Sequence, residues 1–464
     1  MTFIVVLGLG KSGIAAARLL VNQNKQVVIL EERTGTHLKK IAIFLLKEGI
    51  EVRLGVPLKY SSFKEFYPLM RIITSPGIPW NHPVLNYFRS KGICISGDTT
   101  LAWEILGEIP WIAITGTNGK TTVTRLIHHI LSYAGLDAPL CGNIGPSVNE
   151  LILSRNNMNR YRPDWLVVEL SSYQIESAPA LQPWLAVWTT LTPDHLERHG
   201  TLANYRLIKG SLLERSNYQI LNGDDPDLRT SNNIWTQPTW VTTGSRLSLP
   251  NGSIPSLWVE EGQVTTEKGQ LFSTDCLSML GNHNKQNLLM ATAVGIQINL
   301  APSLIQKAFC CFPGVPHRLE FVRSYKGVCF YNDSKATNYD AAEVGIKAIK
   351  EPMVVIAGGQ AKYGSSHAWI KQLKAKTKVV ILIGEAQQKF KYLLELDKYK
   401  GLIHCCSNLE QAVPTSFFLA TQFKCLAVLF SPACASFDQY RDFEARGNDF
   451  RQKVNSLNEI SQYE

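Results

Sequence analysis

The segment WIAITGTNGKTT, residues 111–122, joins an apolar run to a glycine-containing loop and the start of a helical pattern. The apolar run predicts a buried strand, and the pattern from Thr121 to Tyr133 predicts a helix that stops near Gly135. Glycines let a backbone wrap closely around phosphate groups, and the N-terminus of the following helix presents N–H groups and a positive dipole end. We therefore expect a phosphate-binding loop made of Gly116, Thr117, Asn118, Gly119, Lys120, Thr121 and Thr122.

Two side chains of this loop have the chemistry that a nucleotide and its metal ion need. Lys120 can neutralise the β- and γ-phosphates, and Thr121 can offer its hydroxyl to Mg²⁺. Ile114 stands where the usual pattern has its first glycine, which is a departure. The strand before the loop and the helix after it still favour phosphate binding over an ordinary connection.

Length and composition are those of a globular protein with more than one domain. The chain has 464 residues, 45% hydrophobic and 18% charged, so we expect two or three domains. We find no apolar run of about 18 residues that would predict a membrane span, and the first residues predict a strand instead of a signal peptide. The ten scattered cysteines lack C-x-x-C spacing, which favours reduced thiols and a cytoplasmic location.

The positive charge balance favours anionic partners but does not identify them. Lysine and arginine number 47 against 38 acidic residues, a net charge of +9. These basic residues are spread along the chain without a stripe of interleaved aromatic residues, so we expect no nucleic-acid partner. An anionic nucleotide substrate explains the balance equally well. We expect small-molecule partners and a monomer, although the sequence leaves the oligomeric state open.

A second glycine motif, GLGKSG at residues 8–13, lies close to the start of the chain. It follows a strand pattern at Phe3–Leu7 and precedes a helical pattern at Ile14–Asn22 and a strand at Gln26–Leu30, which together predict a βαβ unit. Glu31 lies about where the ribose-binding acid of a dinucleotide site belongs, so the motif alone would indicate NAD. Only about 100 residues separate it from the next loop, enough for one mononucleotide-binding half. We prefer a diphosphate-bearing nucleotide substrate, with candidate contacts from Lys11, Ser12 and Arg33.

Three further side chains in the middle of the chain are candidates for a metal site. Glu169 ends an apolar run, as expected for an acid that binds Mg²⁺ directly or through water. His195 follows the next apolar run, although a lone histidine is usually a satisfied polar residue and Mg²⁺ prefers oxygen. Lys209 has, on spacing alone, the position of an exposed helical lysine. Because Lys120, Glu169 and His195 all follow strands of one predicted sheet, we expect them at the same edge.

The last third of the chain predicts another doubly wound α/β unit. Its expected strands are Val328–Tyr331, Met353–Ala357, Val379–Ile383 and Leu426–Phe430. Three polar segments lie at strand boundaries, HRLE at 317–320, NDSKATN at 332–338 and SPACASFDQ at 431–439. Ligands of such units bind at the carboxyl ends of the strands, so we expect a site that meets the nucleotide across a domain cleft.

The expected fold is therefore α/β with three domains. We predict an N-terminal Rossmann-like domain over residues 1–97 that binds the nucleotide substrate. A central P-loop ATPase-like domain is expected over 98–312, and a C-terminal Rossmann-like domain over 313–464.

The motifs together resemble those of the Mur ligases, and the similarity covers all three blocks in order. GTNGKT at 116–121 alone marks a wider superfamily that includes folylpolyglutamate synthases, whereas GNIG at 142–145, ELSS at 169–172 and Asp194-His195 look like Mur ligase motifs. The segments DSKATN at 333–338 and SPACASFDQ at 431–439 indicate the branch that adds D-glutamate. The resemblance implies an ADP-forming ligase that joins D-glutamate to UDP-N-acetylmuramoyl-L-alanine through an acyl phosphate, in peptidoglycan precursor synthesis.

The resemblance also implies roles for individual side chains. It makes Thr121, Glu169, His195 and a carbamylated Lys209 the ligands of Mg²⁺, and Lys120, His195 and Lys209 the catalytic residues. ATP contacts outside the loop would come from Asn284, Asn287, Arg318 and Asp333. The uridylated substrate would be held by Lys11, Ser12, Arg33, Ser75, Asn143 and Ser171. The D-glutamate pocket would be formed by Thr337, Lys362, Ser431 and Phe437.

Two departures and three rival functions accompany this interpretation. Gln360 stands where the family usually has an acid, and Asp98–Thr100 replace part of a more typical acidic and hydrophobic run. A folylpolyglutamate synthase would share the ATP loop but would not need the block with GLGKSG. An NAD-dependent oxidoreductase would leave Lys120 and Glu169 unexplained. An NTPase that depends on nucleic acid would give the third block no role.

Overall fold

The structure, a computed structural model, contains three α/β domains, each built around its own sheet. It describes residues 2–155, 162–230, 235, 238–249, 254–279, 281–349, 352–361 and 364–458. The chain divides into two compact units, the first formed by Met1–Cys276 with Gln286–Cys311 and the second by Leu277–Lys285 with Phe312–Glu464. Within the described residues, no helix has the length and apolar character needed to cross a membrane.

The first sheet has five parallel strands in the order β3-β2-β1-β4-β5. The strands are β1 Phe3–Leu7, β2 Gln26–Glu31, β3 Glu51–Leu54, β4 Leu69–Thr74 and β5 Cys94–Gly97. The helices are α1 Lys11–Asn22, α2 Thr36–Lys47, α3 Pro83–Ser90 and α4 Asp98–Leu106, with a 3₁₀ turn at Tyr60–Phe66. The predicted βαβ unit is confirmed as β1-α1-β2.

The GLGKSG motif brings α1 unusually close to β1. Gly8 has a φ of 96°, a conformation that side chains disfavour. A Cβ on Gly13 would lie only 2.1 Å from the Gly8 carbonyl oxygen. Glycine at both positions therefore allows the turn and the close packing of helix on strand that this motif requires.

The second sheet has nine strands in the order β14-β13-β12-β11-β10-β9-β6-β8-β7, antiparallel only at the β12, β13 and β14 end. The strands are β6 Trp111–Thr115, β7 Leu140–Gly142, β8 Leu166–Glu169, β9 Leu185–Trp188, β10 Tyr218–Asn222, β11 Thr239–Thr242, β12 Leu257–Glu260, β13 Gln263–Thr266 and β14 Gly269–Ser273. The helices are α5 Lys120–Tyr133, α6 Val148–Ser154, α7 Ser172–Glu176, α8 Leu196–His199, α9 Leu202–Glu214, α10 Pro226–Thr230, α11 Asn282–Gln297 and α12 Pro302–Cys310, with a 3₁₀ turn at Thr274–Cys276.

The centre of this sheet gathers the ends of three strands at one edge. β6 lies between β8 and β9, and all three run parallel. On one side of β6, Ile114 pairs with Glu169 of β8, and on the other side Thr115 pairs with Trp188 of β9. The residues that follow β6, β8 and β9 therefore emerge together, as expected from the sequence.

The third sheet has six strands in the order β15-β16-β20-β17-β18-β19, with only β15 antiparallel. The strands are β15 Glu320–Tyr325, β16 Val328–Asn332, β17 Met353–Gly358, β18 Thr377–Ile383, β19 Leu402–Cys405 and β20 Ala427–Phe430. The helices are α13 Tyr339–Ala348, α14 His367–Lys376, α15 Gln387–Leu396, α16 Leu409–Gln422 and α17 Phe443–Asn455, with a 3₁₀ turn at Ser456–Asn458. The four predicted strands are confirmed to within two residues at each end, whereas β15 and β19 at the two edges were not predicted.

Candidate active site

The loop between β6 and α5 requires glycine for two separate reasons. Gly119 adopts a left-handed conformation with a φ of 86° directly before α5. Gly116 has a φ of 141°, and a Cβ there would lie 2.0 Å from Thr189 Oγ1. The loop therefore turns sharply against the end of β9, and the first N–H groups of α5 face the loop as in an anion-binding site.

Lys120 is folded over the loop that precedes it. Its Nζ donates to the carbonyl oxygens of Gly116 and Thr117, each at 2.9 Å. Thr121 follows at the first turn of α5 and is buried. The lysine ammonium and the helix N-terminus thus concentrate positive charge on the space around the loop.

Thr189 and Thr190, directly after β9, fix the shape of this loop. Thr189 Oγ1 donates to the Asn118 carbonyl oxygen, and Thr190 Oγ1 accepts from the Asn118 N–H at 2.9 Å. Sequence reasoning did not single out these threonines, although their place at the end of an apolar run was a signal. Asn287 also reaches the loop, since a Cβ on Gly119 would lie 2.9 Å from its Oδ1.

Glu169 ends β8 with its carboxylate buried. One oxygen, Oε1, accepts from Asn143 Nδ2 at 2.8 Å. The other, Oε2, is buried and has no hydrogen-bond partner among the described residues. A buried carboxylate oxygen without a partner is costly and calls for an explanation. A hard oxygen-seeking cation such as Mg²⁺ fits this arrangement.

Asn143 is itself held against Glu169 by the backbone. Its N–H donates to the Glu169 carbonyl oxygen at 2.8 Å, just after Gly142, which has a φ of 104°. A Cβ on Gly142 would lie 2.3 Å from the same carbonyl oxygen. Glycine at this position therefore lets Asn143 approach Glu169, which explains the GNIG motif in physical terms.

His195 is partly exposed and has a left-handed backbone, with a φ of 53°. Its Nδ1 lies 3.1 Å from the hydroxyl of Tyr173, and its Nε2 lies 3.5 Å from Asp194 Oδ2. Ser171 is the N-cap of α7, where its hydroxyl accepts from the Gln174 N–H at 3.3 Å. The sequence predicted that His195 and Ser171 belong to this site but did not point to Tyr173.

Lys209 is not the exposed helical lysine that its spacing predicts, because α9 turns it into the protein. Its side chain is only 1% exposed, and Nζ donates to the Gly116 carbonyl oxygen at 3.0 Å and to Thr115 Oγ1 at 3.2 Å. Burial, with the charge of Lys120 as a second cause, lowers the pKa of Lys209 well below its usual value. The structure therefore favours a neutral amine beside the phosphate loop.

The described residues hold no group of three or more His, Cys, Asp or Glu side chains arranged for a metal ion. A metal ion at this edge of the second sheet would need other donors beside Glu169 and His195. The Thr121 hydroxyl and a modified Lys209 are the other predicted donors. The unpartnered oxygen of Glu169 is the observation that makes this donor set chemically suitable.

The carboxyl ends of the first sheet's strands form a cavity of about 600 Å³. Four of the predicted contacts to the uridylated substrate line it, namely Lys11, Ser12, Arg33 and Ser75. Its other walls include both apolar groups, such as Phe63 and Ile78, and the glycines Gly8 and Gly10 of the GLGKSG turn. A pocket of this size and mixed lining suits a nucleotide-sized ligand.

Glu31 belongs to this pocket but its carboxylate is already engaged. It accepts from the Leu9 N–H at 2.8 Å and from the Arg33 guanidinium at 2.9 Å. The hydrogen bond from Arg33 is the main reason that the pKa of Glu31 falls to about 2. Glu31 therefore holds the glycine turn and orients Arg33, which differs from the ribose-binding role of a dinucleotide site.

In the second unit, Asp333 and Ser431 lie side by side after β16 and β20. The Ser431 hydroxyl donates to Asp333 Oδ2 at 2.8 Å, and the Leu319 N–H donates to Oδ1 at 3.2 Å. Burial raises the pKa of Asp333 to about 7. Two residues predicted for different ligands, ATP and D-glutamate, are thus in direct contact.

Arg446, on α17, joins the two polar segments of this unit. Its guanidinium donates to the carbonyl oxygens of Ser334, Cys434 and Ala435 at 2.8, 3.0 and 3.1 Å. The side chain is buried, and this burial lowers its pKa to about 10. Sequence reasoning missed Arg446, because nothing in its local pattern distinguishes it from a surface arginine of an amphipathic helix.

The remaining predicted positions of the second unit have varied surroundings. Asn284 is buried, and Phe437 is 69% exposed. Thr337 lies in the loop before α13, and its N–H donates to the Lys335 carbonyl oxygen. Lys362 lies outside the described residues. Of the two departures, Gln360 pairs through its backbone with Ala435.

Comparison with known proteins places this architecture in a family. Three sequence families match in order: "Mur ligase MurD-like, N-terminal domain" over residues 2–97, "Mur ligase middle domain" over 114–295 and "Mur ligase, glutamate ligase domain" over 317–434. A UDP-N-acetylmuramoylalanine–D-glutamate ligase of Synechococcus sp. (strain CC9605) is 49% identical over 459 residues, covering 98% of this chain and 99% of that one.

Solved structures of low sequence identity share the fold. A UDP-N-acetylmuramate–alanine ligase of Thermotoga maritima aligns with a TM-score of 0.59 at 16% identity, over 98% of this chain and all of the other (100%). A folylpolyglutamate synthase of Mycobacterium tuberculosis aligns with a TM-score of 0.56 at 14% identity, over 75% of this chain and 93% of the other. The chain belongs to the Mur ligase family.

Proposed function

We propose that the chain is the D-glutamate-adding ligase of peptidoglycan precursor synthesis, acting on UDP-N-acetylmuramoyl-L-alanine with ATP and Mg²⁺. It works as a cytoplasmic monomer whose domains span residues 1–97, 98–312 and 313–464. The choice among Mur ligases is supported by relatives of that name that are 43–49% identical over nearly the whole chain. The geometry that carries the ATP-dependent chemistry is the glycine loop beside buried Glu169 and Lys209.

The loop holds the triphosphate and offsets its charge. The N–H groups at the start of α5 and the Lys120 ammonium face the β- and γ-phosphates. Thr121, Glu169, His195 and the modified Lys209 would hold Mg²⁺. The metal ion, when bound, neutralises charge that develops on the phosphates. Asn143 orients Glu169 for this role through the hydrogen bond at 2.8 Å.

Lys209 takes part as a carbamate. Burial lowers the pKa of Lys209 and so favours the neutral amine, the form whose nitrogen lone pair can attack carbon dioxide. The new N–C bond converts the amine to a carbamate, and one proton is released. The product is an anionic oxygen ligand at the position where an ammonium would repel both Lys120 and Mg²⁺.

The reaction has two chemical steps. A carboxylate oxygen of UDP-N-acetylmuramoyl-L-alanine attacks the γ-phosphorus, and the bond to ADP breaks. The amine of D-glutamate then attacks the acyl carbon, and inorganic phosphate leaves as the amide forms. The chain supplies positioning and charge neutralisation for both steps, because carboxylates are poor electrophiles without activation.

Substrate recognition is shared among the three domains. Lys11, Ser12, Arg33 and Ser75 line the cavity assigned to the uridylated substrate, and Asn143 and Ser171 contact its phosphate end. Asn284, Asn287, Arg318 and Asp333 complete the ATP contacts. Thr337, Lys362, Ser431 and Phe437 bind D-glutamate.

The rival functions explain less of the molecule. A folylpolyglutamate synthase leaves the cavity of the first sheet without a ligand. An NAD-dependent oxidoreductase leaves Glu169 and the buried Lys209 without a task. An NTPase that depends on nucleic acid gives the third domain no role.

One assay separates these possibilities. Phosphate release from ATP is measured with UDP-N-acetylmuramoyl-L-alanine alone, with D-glutamate alone and with both. We expect sustained release only with both substrates, and loss of that release in Lys120→Met. A Lys268→Met variant, changed at an exposed surface position, serves as the matched control. Release that ignores either substrate contradicts the proposal.

A further inference from the structure

Helix α2 turns large apolar side chains toward the outside of the protein. Of its twelve residues only Leu45 is fully buried, with Leu38 and Ile41 packed partly against the core. Ile43, Phe44 and Leu46 are 61, 58 and 64% exposed. These three apolar side chains lie within about one turn of the helix, so they concentrate apolar surface on its outward side more than a single exposed residue would. We call the outward side of this helix the α2 face.

Lysines alternate with these apolar groups on the α2 face. Lys39, Lys40 and Lys47 are all exposed. At 100° per residue, Lys39 lies between Leu46 and Ile43 around the helix, and the other two lie between Ile43 and Phe44. The sequence THLKKIAIFLLK contains no acidic residue. Glu48, directly after the helix, is engaged by Arg18 at 2.7 Å.

We propose that the α2 face binds the surface of an anionic lipid bilayer. The apolar groups enter the boundary between headgroups and acyl chains, and the lysine ammonium groups contact the phosphates while their stems lie along the apolar surface. This interaction goes beyond the proposed reaction and does not depend on it.

The size and charge of the α2 face favour a bilayer over a second copy of the chain. A helix of twelve residues is about 18 Å long and about 10 Å wide, which gives a footprint of roughly 200 Å². Stable protein interfaces bury about 800 Å² on each partner. The excess of three lysines would also repel an identical face. A lipid surface needs no large matched area, because each side chain enters it separately.

The α2 face shares no residue with the lining of the nucleotide cavity. Arg33 lines that cavity and precedes α2 in the chain, but no residue of α2 is among those that line it. Contact with a membrane through α2 therefore uses no residue that lines this pocket.

The test is sedimentation of the full chain with lipid vesicles. We expect it to pellet with vesicles of phosphatidylcholine and phosphatidylglycerol, to stay in solution with phosphatidylcholine alone, and to be released by salt. The triple change Ile43→Ser, Phe44→Ser, Leu46→Ser should abolish binding. The triple change Lys39→Gln, Lys40→Gln, Lys47→Gln should weaken it at least about tenfold.

Matched controls use exposed positions elsewhere. Phe418→Ser removes an aromatic group that is 66% exposed on α16, and the triple change Lys268→Gln, Lys307→Gln, Lys400→Gln removes three exposed lysines; both should bind as the unchanged chain does. Circular dichroism verifies folding of every variant. The proposal is overturned by equal binding to both vesicle types, by no binding to either, or by an α2 variant that loses only self-association or binding to an acidic protein.

Discussion

The Tyr173 hydroxyl lies 3.1 Å from Nδ1 of His195, and the two rings pack with their centroids 5.2 Å apart. A histidine that binds metal through one ring nitrogen is usually oriented by a hydrogen bond at the other. The Tyr173 hydroxyl lies within hydrogen-bond distance of Nδ1, closer than Glu197 Oε1 at 3.7 Å, and it can either donate or accept.

Replacing Tyr173 with phenylalanine should weaken metal binding without disturbing the fold. The ring contacts remain in Tyr173→Phe, but the orienting hydrogen bond is lost. We expect the Mg²⁺ concentration for half-maximal activity to rise about tenfold, with a matching loss of Mn²⁺ affinity by calorimetry in the presence of ATP. Tyr392→Phe, at a position 63% exposed on α15, is the control. Unchanged Mn²⁺ affinity would show that Tyr173 has only a packing role.

Replacing Lys209 with alanine should abolish activity, and short carboxylic acids should partly restore it. Lys209→Ala leaves a space beside Gly116 where the carbamate would lie. We expect activity to fall to background and to return in part with added short carboxylic acids, which replace the lost anionic oxygen. Lys307→Ala, on the surface of α12, should keep full activity and respond to no acid. Absence of rescue argues against carbamylation.

The buried carboxyl of Asp98 should make stability depend on pH. Burial raises the pKa of Asp98 to about 6 from an ordinary value of 3.8. The folded state therefore holds the proton more tightly than the unfolded chain, so this contribution is present below about pH 4 and is lost as the pH rises through about 6. Asp98→Asn should stabilise the protein relative to the unchanged chain above that window, by on the order of 2–3 kcal/mol.

Urea unfolding of both proteins on either side of that window measures the difference. Asp275→Asn, at an exposed carboxyl, should change the free energy of unfolding equally on both sides of the window. A difference that is the same at about pH 4 and about pH 7.5 would mean that Asp98 does not titrate between these values.

No other cationic side chain should replace the branched guanidinium group of Arg446. A lysine in its place would present a single ammonium group, which cannot reach the carbonyl oxygens of Ser334, Cys434 and Ala435 together. Arg446→Lys therefore leaves buried acceptors without partners. We expect an activity loss of at least about tenfold and a destabilisation of about 1–3 kcal/mol, measured by urea unfolding. Arg451→Lys, whose partner Glu320 is partly exposed, is the control. Equal effects of the two changes would contradict a special role for Arg446.

The parts of the fold that the sequence predicts are those buried on both faces. β1, β17, β6 up to Ile114 and β18 from Val379 onward are continuous apolar runs because helices cover both sides of a parallel sheet. β15 and β19 lie at the edges of the third sheet and carry mostly polar or half-exposed residues. β19 is only four residues long and β15 mixes apolar with polar residues, so neither gives a long buried apolar run, and pairing with a neighbouring strand defines them as strands.

Some residues of the candidate site could be predicted from the local sequence, whereas others depend on packing against distant segments. The glycine loop and Glu169 were predictable, because a strand end fixes where the next residue emerges. The burial of Lys209 was not, since it depends on how α9 packs against a loop about 90 residues earlier in the chain. Thr189, Tyr173 and Arg446 act through contacts with distant segments, which no local pattern encodes.

The position of Arg446 has a consequence for how the protein is made. Ser334 and Cys434 leave the ribosome before α17 does, yet the guanidinium that joins them belongs to that helix. Since domains fold as units during synthesis, the third domain cannot complete the polar segments that contain Ser334 and Cys434 until this helix has emerged. A nascent chain stalled or cut before α17 would carry a finished phosphate loop in the second domain and a third domain without the guanidinium that holds its two polar segments together.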